Sequence, residues 1–443
     1  MSTYEIKTRI ANNTDNSLRL KLRLLLAHHD LLRTKAPILS DAYIRRFRQS
    51  QLDAAHRLRG KKRIEVAFML TTPGMWKADY LFRAMQHDEL FHPYVVVYPY
   101  SQYKGFPQKE IEETLQRTAK FVADKGFEYV IPRRNGHWED IQKTMHPDIV
   151  FFATPYKDHL PQYFIHHFRN TLTCYIPYGF TNFSYLYNTN YNLIFHNLVG
   201  CYFLETESHL RLFAEHSRSH GAAGVVTGYP GTEVFLRSDY TPNNPWKPQP
   251  KAKKRVIWAP HHSIEEGFAL SSFLLICDDM LRLAEKYKDS IQFAFKPHQL
   301  LRLKLLQIWG RERTDNYYDA WRDGSNTQLE ESGYTDLFLT SDAMIHDSGS
   351  FTAEYLFTRK PVLFTVRSAE VRSRYSPLGQ TMFDAHYHAA TPQETEQFLA
   401  GTVLGGNDPM AECRQRLFRQ HLMPSGRLPS ENIINHLRNF VIP

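Results

Sequence analysis

Three short segments place histidine, serine and aspartate side chains directly after predicted β-strands in the second half of this 443-residue chain. They are His261-His262-Ser263, Lys296-Pro297-His298 and Asp347-Ser348-Gly349-Ser350. Because parallel strands present their carboxyl ends at one edge of a sheet, we expect the three segments to converge. The serine-glycine-serine turn precedes a predicted helix, so backbone N–H groups, two hydroxyls and a helix dipole point to one place. The segments therefore predict an anion site of the kind that binds phosphate.

His298 is the predicted catalytic residue at this edge, since a histidine donates to phosphate and stabilises charge on a departing group. The residues predicted to bind donor phosphate are His261, Asp347, Ser348, Gly349 and Ser350, and Lys296 is a further cleft candidate. Two plainer interpretations stay open, namely a helix capping box formed by Ser350 with Glu354 and an ordinary loop histidine at position 298. The chain has 22 histidines but no HExxH motif, so we predict no metal ligand.

Hydrophobic patterning predicts the elements that position these residues. From residue 63 onward, short apolar runs alternate with longer amphipathic stretches, which is typical of strands and helices that build parallel sheets. Four prolines between residues 239 and 254 indicate a linker. We therefore predict an α/β fold of two Rossmann-like domains that face a cleft, over residues 63–240 and 253–425. A basic helical extension over 1–62 and a closing helix over 426–443 complete the chain.

Charge is concentrated at the amino-terminal end. The whole chain has 54 lysines and arginines against 46 acidic residues, and the first 63 residues hold fifteen of the cations and five of the acids. The main body is therefore not basic, and we expect no nucleic-acid partner. A leucine-rich basic helix is predicted over 17–33, and a second helix over 41–59 with Ser40 or Asp41 as its cap. Residues 17–59 either contact an anionic membrane or pack on their own domain or a partner subunit.

The predicted first domain offers one candidate general base. Asp79 follows the first strand within TTPGMWKADYLF (71–82), on the wall of the cleft opposite the anion site. The alternative is an ordinary strand-to-helix turn, in which Gly74 permits a tight backbone and Trp76 packs. The four cysteines form no CxxC motif, so we predict no metal or iron–sulfur cofactor.

The order of these motifs resembles the CDP-glycerol glycerophosphotransferase family of teichoic-acid and related surface-polymer enzymes, over roughly residues 224–366. The matching segments are WAPHH (258–262), KPHQ (296–299), HDSGSFTAEYLFTRKPVLF (346–364) and TGYPGTEVF (227–235). The last segment resembles a Gly-x-Pro-Arg-x-Asp element and makes Gly228 and Pro230 cleft candidates. The resemblance implies a GT-B fold in which His298 contacts a donor diphosphate and Asp347, Ser348 and Ser350 shape the phosphate site beside Gly349.

The sequence also differs from the family pattern. Gln299 and Gly231 replace a proline and an arginine, and Ser348-Gly349-Ser350 replaces a Tyr-Ser-Ser run. The family's His-Gly motif in the first domain corresponds to IPYGF, which has Tyr178 before Gly179. Tyr178 is the candidate for holding a reacting hydroxyl, although its ordinary pKa of about 10 makes tyrosine a poor base at neutral pH.

The resemblance implies a transferase without a metal or other cofactor. It would move an alditol phosphate or glycosyl unit from a CDP-linked or other nucleotide-activated donor to a lipid-linked or polymeric acceptor of the bacterial surface. We expect a cytoplasmic location, peripheral on the inner face of the membrane, and an oligomer is open. A nucleotide-sugar glycosyltransferase or epimerase of the same fold is the alternative within enzymes. A degenerate scaffold subunit of a polymer-export assembly, suggested by Tyr178, is the alternative of another class.

Overall fold

A computed structural model describes residues 40–99, 108–156, 160–265, 270–331, 333–423 and 426–441. The helix predicted over 17–33 lies outside these residues, so the predicted extension is described only from Ser40 onward. No helix among the described residues is both long and apolar enough to cross a membrane.

The first lobe is built on a seven-stranded parallel sheet in the order β3-β2-β1-β6-β7-β8-β9. Its strands are β1 Ile64–Leu70, β2 Phe91–Val97, β3 Tyr129–Val130, β6 Ile149–Phe152, β7 Leu172–Tyr175, β8 Cys201–Leu204 and β9 Gly224–Val226. A separate antiparallel hairpin, unpredicted from the sequence, pairs β4 Arg133–Arg134 with β5 His137–Trp138. The central strands are buried along almost their whole length, because helices cover both faces of a parallel sheet.

The first helix of this lobe, Asp41–His56, corresponds to the helix that the sequence predicts over 41–59. The helices of the lobe are α1 Asp41–His56, α2 Asp79–Gln86, α3 Gln108–Asp124, α4 Ile141–Thr144, α5 Tyr187–Tyr191, α6 Ile194–Leu198 and α7 Glu207–His216. Ser40 caps α1, since its hydroxyl accepts from the Tyr43 N–H at 3.1 Å. The buried Gln51 side chain then joins α1 to the sheet by accepting from the backbone N–H of Thr173 at 2.9 Å. At least this helix packs on its own domain.

The second lobe follows a proline-rich stretch and contains a six-stranded parallel sheet in the order β12-β11-β10-β13-β14-β15. Its strands are β10 Lys254–Ala259, β11 Ile291–Phe295, β12 Thr327–Leu329, β13 Ala343–His346, β14 Val362–Thr365 and β15 Tyr387–Ala389. This order is that of a Rossmann fold, whose ligands bind where the strand order reverses, here between β10 and β13. The α/β fold of two Rossmann-like domains is confirmed.

Nine further α-helices complete the described chain. They are α8 Phe273–Lys286, α9 Leu301–Ile308, α10 Gly310–Asp323, α11 Thr335–Thr340, α12 Phe351–Glu354, α13 Pro377–Asp384, α14 Pro392–Gln397, α15 Ala411–Leu417 and α16 Pro429–Arg438. The closing helix α16 returns to the first lobe, where Ile433 and Leu437 are fully buried in its apolar core. The chain therefore crosses between the lobes twice.

Candidate functional site

The three polar segments meet at the reversal point of the second sheet. Strand β10 leads into residues 260–263, its neighbour β11 into 296–298, and its other neighbour β13 into 347–350. The ring centroids of His262 and His298 lie 4.1 Å apart, and those of His261 and His298 lie 5.1 Å apart. The structure thus brings His261, His262 and His298 together from two strands.

Backbone N–H groups fix where the imidazole protons lie. The N–H of Leu300 donates to Nδ1 of His298 at 3.2 Å, and the N–H of Ser263 donates to Nδ1 of His261 at 3.2 Å. A neutral imidazole that accepts at Nδ1 carries its proton on Nε2. Both rings therefore present an Nε2–H donor, which suits an oxyanion.

Burial keeps these histidines neutral. Burial, with the neighbouring histidines and Lys304, lowers the pKa of His261 to about 2 and that of His298 to about 4. The pKa of His262 is lowered by burial and by Lys304. Burial also lowers the pKa of Lys296 to about 8, against the opposing charges of Glu330 and Glu331. Lys296 thus keeps most of its charge at neutral pH and supplies a cation behind the histidines.

The three histidines form the one group of metal-capable side chains found within the described ranges, with ring nitrogens within 4.8 Å of one another. A metal needs an imidazole lone pair. If Nε2 of His261 or His298 served as the ligand, its proton would move to Nδ1 and oppose the backbone N–H already pointing there. Metal binding through Nε2 of His261 or His298 would therefore break the backbone hydrogen bond that its Nδ1 accepts.

Asp347 positions the segments around the site through hydrogen bonds to its carboxylate. Its fully buried carboxylate accepts from the His261 N–H at 2.5 Å, from the Ser272 N–H at 2.7 Å and from the Ser271 hydroxyl at 3.0 Å. Burial raises its pKa to about 6, and these hydrogen bonds oppose that rise. An anion repels phosphate, so the prediction that Asp347 binds donor phosphate gives way to a positioning role.

The serine-glycine-serine turn departs from the expected helix start. Helix α12 has only four residues and continues as a 3₁₀ helix over Tyr355–Thr358, so the helix dipole is weaker than the sequence predicts. The side chain of Ser350 makes no capping hydrogen bond. The capping-box interpretation is therefore wrong, and the hydroxyl of Ser350 is not used in capping its own helix.

Gly349 is required by contact with the first lobe. A Cβ added there would lie 2.3 Å from the Phe183 ring. The side-chain amide of the neighbouring Asn182 donates to the Gly349 carbonyl at 2.9 Å, and the Asn182 carbonyl accepts from the Ser376 N–H at 2.7 Å. The loop after β7 thus covers the turn, so the glycine serves close packing between lobes.

A second contact between the lobes was not predicted from the sequence. Tyr334 donates to the fully buried carboxylate of Glu354 at 2.5 Å, and Lys77 from the first lobe donates to the Tyr334 hydroxyl at 3.4 Å. Burial raises the pKa of Glu354 and lowers that of Lys77, while each charge opposes the shift of the other. The Phe180 N–H also donates to Glu354. Glu354 therefore holds the loop that carries Tyr178 and Gly179.

The first-lobe candidates differ in their surroundings. Tyr178 is 37% exposed, and a Cβ on Gly179 would meet no atom within 4 Å, so both border open space. Asp79, in contrast, forms an ion pair with Lys125 at 2.9 Å. The ion pair already occupies this carboxylate, so the structure does not favour Asp79 as the base.

Gly228 and Pro230 lie away from the predicted cleft position. Gly228 has a positive φ of 82°, and a Cβ there would lie 3.0 Å from Pro429 at the start of α16. Pro230 begins a buried 3₁₀ helix whose Glu233 accepts from the Ser430 hydroxyl at 2.7 Å. The segment therefore forms a junction with the closing helix, which corrects the cleft assignment.

Residues 188–393 match the model of the family described as CDP-Glycerol:Poly(glycerophosphate) glycerophosphotransferase. The matched range includes all three segments of the site, which confirms the resemblance inferred from their motifs. No curated protein matches the sequence of this chain.

Solved structures share the fold at low sequence identity. A putative UDP-N-acetylglucosamine 2-epimerase from Listeria monocytogenes is 13% identical with a TM-score of 0.55, covering 85% of this chain and 96% of that chain. S. aureus MnaA with UDP is 15% identical with a TM-score of 0.54, and the match covers 85% of this chain and 96% of that chain. A substituted form of the wall teichoic acid polymerase TagF soaked with CDPG is 12% identical with a TM-score of 0.52, covering 96% and 97%.

Proposed function

We propose, from the family match over residues 188–393, that this chain is a transferase that adds alditol phosphate from a CDP-linked donor to a teichoic-acid-type polymer. The observation that carries the proposal is the pair of Nε2–H donors on His261 and His298 at the reversal point of the second sheet. A nucleoside diphosphate bound there accepts hydrogen bonds from these rings, from the Ser348 and Ser350 hydroxyls and from nearby backbone N–H groups.

The transfer breaks the phosphoanhydride bond of the donor and forms a phosphodiester bond to the acceptor. An acceptor hydroxyl oxygen bonds to the phosphorus that carries the alditol, the bond from that phosphorus to the bridging oxygen breaks, and CMP leaves. The charge that develops on the bridging oxygen is stabilised by the donors of His298 and His261. Because the protein has little covalent chemistry to perform in such a transfer, positioning and charge stabilisation supply most of the rate. Tyr178, on the open side of the first lobe, holds the acceptor hydroxyl, whose proton passes to solvent as the phosphodiester forms.

The reaction needs no metal in this proposal. The tautomers of His261 and His298 favour anion binding, and Lys296 adds a positive charge close by. The acceptor is a lipid-linked or polymeric chain on the cytoplasmic side of the membrane, where residues 17–59 keep the enzyme near it. Oligomerisation is compatible with this arrangement.

A nucleotide-sugar enzyme is the second candidate. The turn Ser348-Gly349-Ser350 departs from the family's contiguous serines, and the neighbouring structures include UDP-N-acetylglucosamine 2-epimerases. The product separates the two, because only alditol-phosphate transfer leaves a new phosphodiester in the polymer. A non-catalytic scaffold is the third, and it predicts that His298 is dispensable for polymer synthesis while residues 1–60 are not.

The experiment is a calorimetric titration with CDP-glycerol, CDP-ribitol, CMP, UDP-sugars and GDP-sugars, with EDTA throughout, followed by phosphorus-31 NMR of the product. The variants are His298→Ala and, as the control, His137→Ala on the exposed first-lobe hairpin. We expect a CDP-alditol to bind in EDTA and His298→Ala to weaken it about 10- to 100-fold, the value of one or two hydrogen bonds to a charged group. Binding of a UDP-sugar alone would move the assignment to the second candidate, and binding of no nucleotide would favour the scaffold.

A further inference from the structure

The proline-rich linker between the two lobes is hydrogen-bonded to the second sheet. The side-chain amide of Gln292 on β11 donates to the Lys247 carbonyl at 2.9 Å, and that of Gln328 on β12 donates to the Pro245 carbonyl at 2.9 Å. Both glutamines are buried, and Trp246 between the two carbonyls is 4% exposed. Because buried amides that pair with backbone carbonyls fix the path of the chain, this linker is a defined surface of the second lobe.

The linker forms one wall of a cavity of about 480 Å³ at the amino-terminal edge of the second sheet, opposite the donor site. Four cations line the cavity. They are Lys247, Lys251, Lys253 and Arg255. Asp342 is the one acid among the described lining residues, and it pairs with the adjoining Lys254 at 3.3 Å. None of the four lining cations forms an ion pair with another described residue.

The charge around this cavity stays positive when its surroundings are included. Residues 241–255 contain five cations and no acid, although the chain beyond residue 63 holds slightly more acids than cations. Two exposed acids, Asp289 and Asp323, lie on loops that contact the linker. With Asp342 they make three acids against the five cations. The cavity is therefore an anion-attracting site.

The arrangement of the cations favours a chain of phosphates over a nucleotide or a nucleic acid. The four lining cations are distributed along the linker, so each can contact a different phosphate. None of the described residues that line the cavity is aromatic. Trp246 is buried under Arg255, whose guanidinium lies 5.6 Å from the ring centroid. Single-stranded nucleic acids bind largely by stacking bases on exposed rings, which this site does not offer.

We propose that this cavity, the Lys251 site (Lys247, Lys251, Lys253 and Arg255), binds the anionic phosphodiester chain of the polymer. The inference rests on the proposed function, because alditol-phosphate transfer places a phosphodiester in every repeat. Strand β10 runs for six residues between the Lys251 site and the donor site, which separates the two by about 20 Å. A chain held at the Lys251 site keeps its growing end at a high effective concentration near the donor. The site therefore favours long products.

The test measures binding of a fluorescein-labelled poly(glycerol phosphate) oligomer to the full chain by anisotropy, without donor. The variant is Lys251→Gln combined with Lys253→Gln. The control, Lys109→Gln combined with Lys120→Gln, removes the same charge from α3, at side chains that are 85% and 74% exposed.

We expect the variant to weaken oligomer binding about tenfold, the value of two exposed charge contacts. The slope of log affinity against log salt should fall by about 1, because fewer phosphates are neutralised. The melting temperature and CDP-glycerol binding should not change, and the control should bind the oligomer like wild type. With donor and a short acceptor, the variant should make shorter polymers at an unchanged initial rate.

Equal affinities of wild type and variant, or equal weakening by variant and control, would overturn the proposal. Equal competition by glycerol 3-phosphate would reduce the site to one for simple anions, and equally tight binding of single-stranded DNA would reassign it to nucleic acid. Unchanged polymer length despite weaker binding would exclude a role in extension. Because oligomer binding is measured without donor, its result is independent of CDP-glycerol binding, which tests the proposed function.

Discussion

His261 and His298 act as neutral hydrogen-bond donors near pH 7, because burial holds the pKa of both well below the ordinary histidine value. In the proposed function, an arriving diphosphate therefore meets Nε2–H donors that the backbone orients, rather than charged imidazolium rings. Such donors need little reorganisation when charge develops on the leaving group, which is the condition for efficient electrostatic stabilisation. The neighbouring Lys296 supplies the positive charge that the rings lack.

The same lowered pKa values make stability depend on pH. The pKa of a histidine in the unfolded chain is about 6.5, whereas the pKa of His261 in the folded protein is about 2. Between these two values, residue 261 is protonated in the unfolded chain and neutral in the folded protein, so a lower pH favours unfolding. The contribution of neutral His261 to the free energy of unfolding is therefore fully present above pH 6.5 and decreases as the pH is lowered toward 4. We expect His261→Gln to reduce this slope in urea unfolding measured from pH 7 to 4. An equal slope in wild type and His261→Gln would contradict a neutral His261.

Substitution of Gly349 tests the close approach of the two lobes at Phe183. Gly349→Ala forces its new methyl group against the Phe183 ring, and overpacking of this kind costs about 1–3 kcal/mol. We expect a lower melting temperature and weaker donor binding, with partial recovery when Phe183→Ala is added. The matched control is Gly179→Ala, whose Cβ meets no atom within 4 Å. Equal effects of the two glycine substitutions would exclude the Phe183 contact as the cause.

At the scale of elements, Lys77 and Glu354 join the turn after β1 to the helix after β13. Removing one charge leaves the other buried without its partner, at a cost of about 3–5 kcal/mol. We expect Glu354→Gln and Lys77→Met each to lower the urea midpoint and raise the KM for donor. The combination of both should cost less than the sum of the two, as a double-mutant cycle measures.

An exposed ion pair supplies the control for this cycle. Lys120 and Asp124 on α3 are 74% and 61% exposed, so Lys120→Met should change stability by less than about 1 kcal/mol. Strict additivity of the Lys77 and Glu354 substitutions would show that the two side chains do not interact.

The elements of the donor edge were predictable because each is local in the sequence. Strands β10, β11 and β13 are short apolar runs that end in polar turns, and their shared edge follows from parallel pairing. The role of Glu354 was not predictable, because its partners Tyr334 and Lys77 lie 20 and 277 positions away in the chain. Glu354, at the fourth position after Ser350, instead suggested a near capping box with Ser350 as the cap. The strand β12 and the β4–β5 hairpin were missed because runs of two or three residues carry no periodicity.

At the scale of the whole molecule, the closing helix α16 is hydrogen-bonded to the 3₁₀ helix that begins at Pro230, at the end of the first lobe. Ser430 donates its N–H and its hydroxyl, each at 2.7 Å, to the buried carboxylate of Glu233. Burial raises the pKa of Glu233, and these two hydrogen bonds oppose that rise. Ser430→Ala removes the hydroxyl bond and should cost about 1–3 kcal/mol in urea unfolding. The control is Ser290→Ala, at an exposed turn of the second lobe. No loss in Ser430→Ala relative to this control would contradict a fastening role.

The return of α16 to the first lobe also constrains synthesis on the ribosome. Strand β9 ends at Val226 and α16 starts at Pro429, so about 200 residues of the second lobe are translated before the first lobe receives its last helix. At 5–20 residues per second this interval is roughly 10–40 s. Throughout it, the nascent first lobe exposes the apolar groove that Ile433 and Leu437 later fill. Co-translational folding of this lobe therefore stays incomplete until late, and a ribosome-associated chaperone has a defined surface to protect.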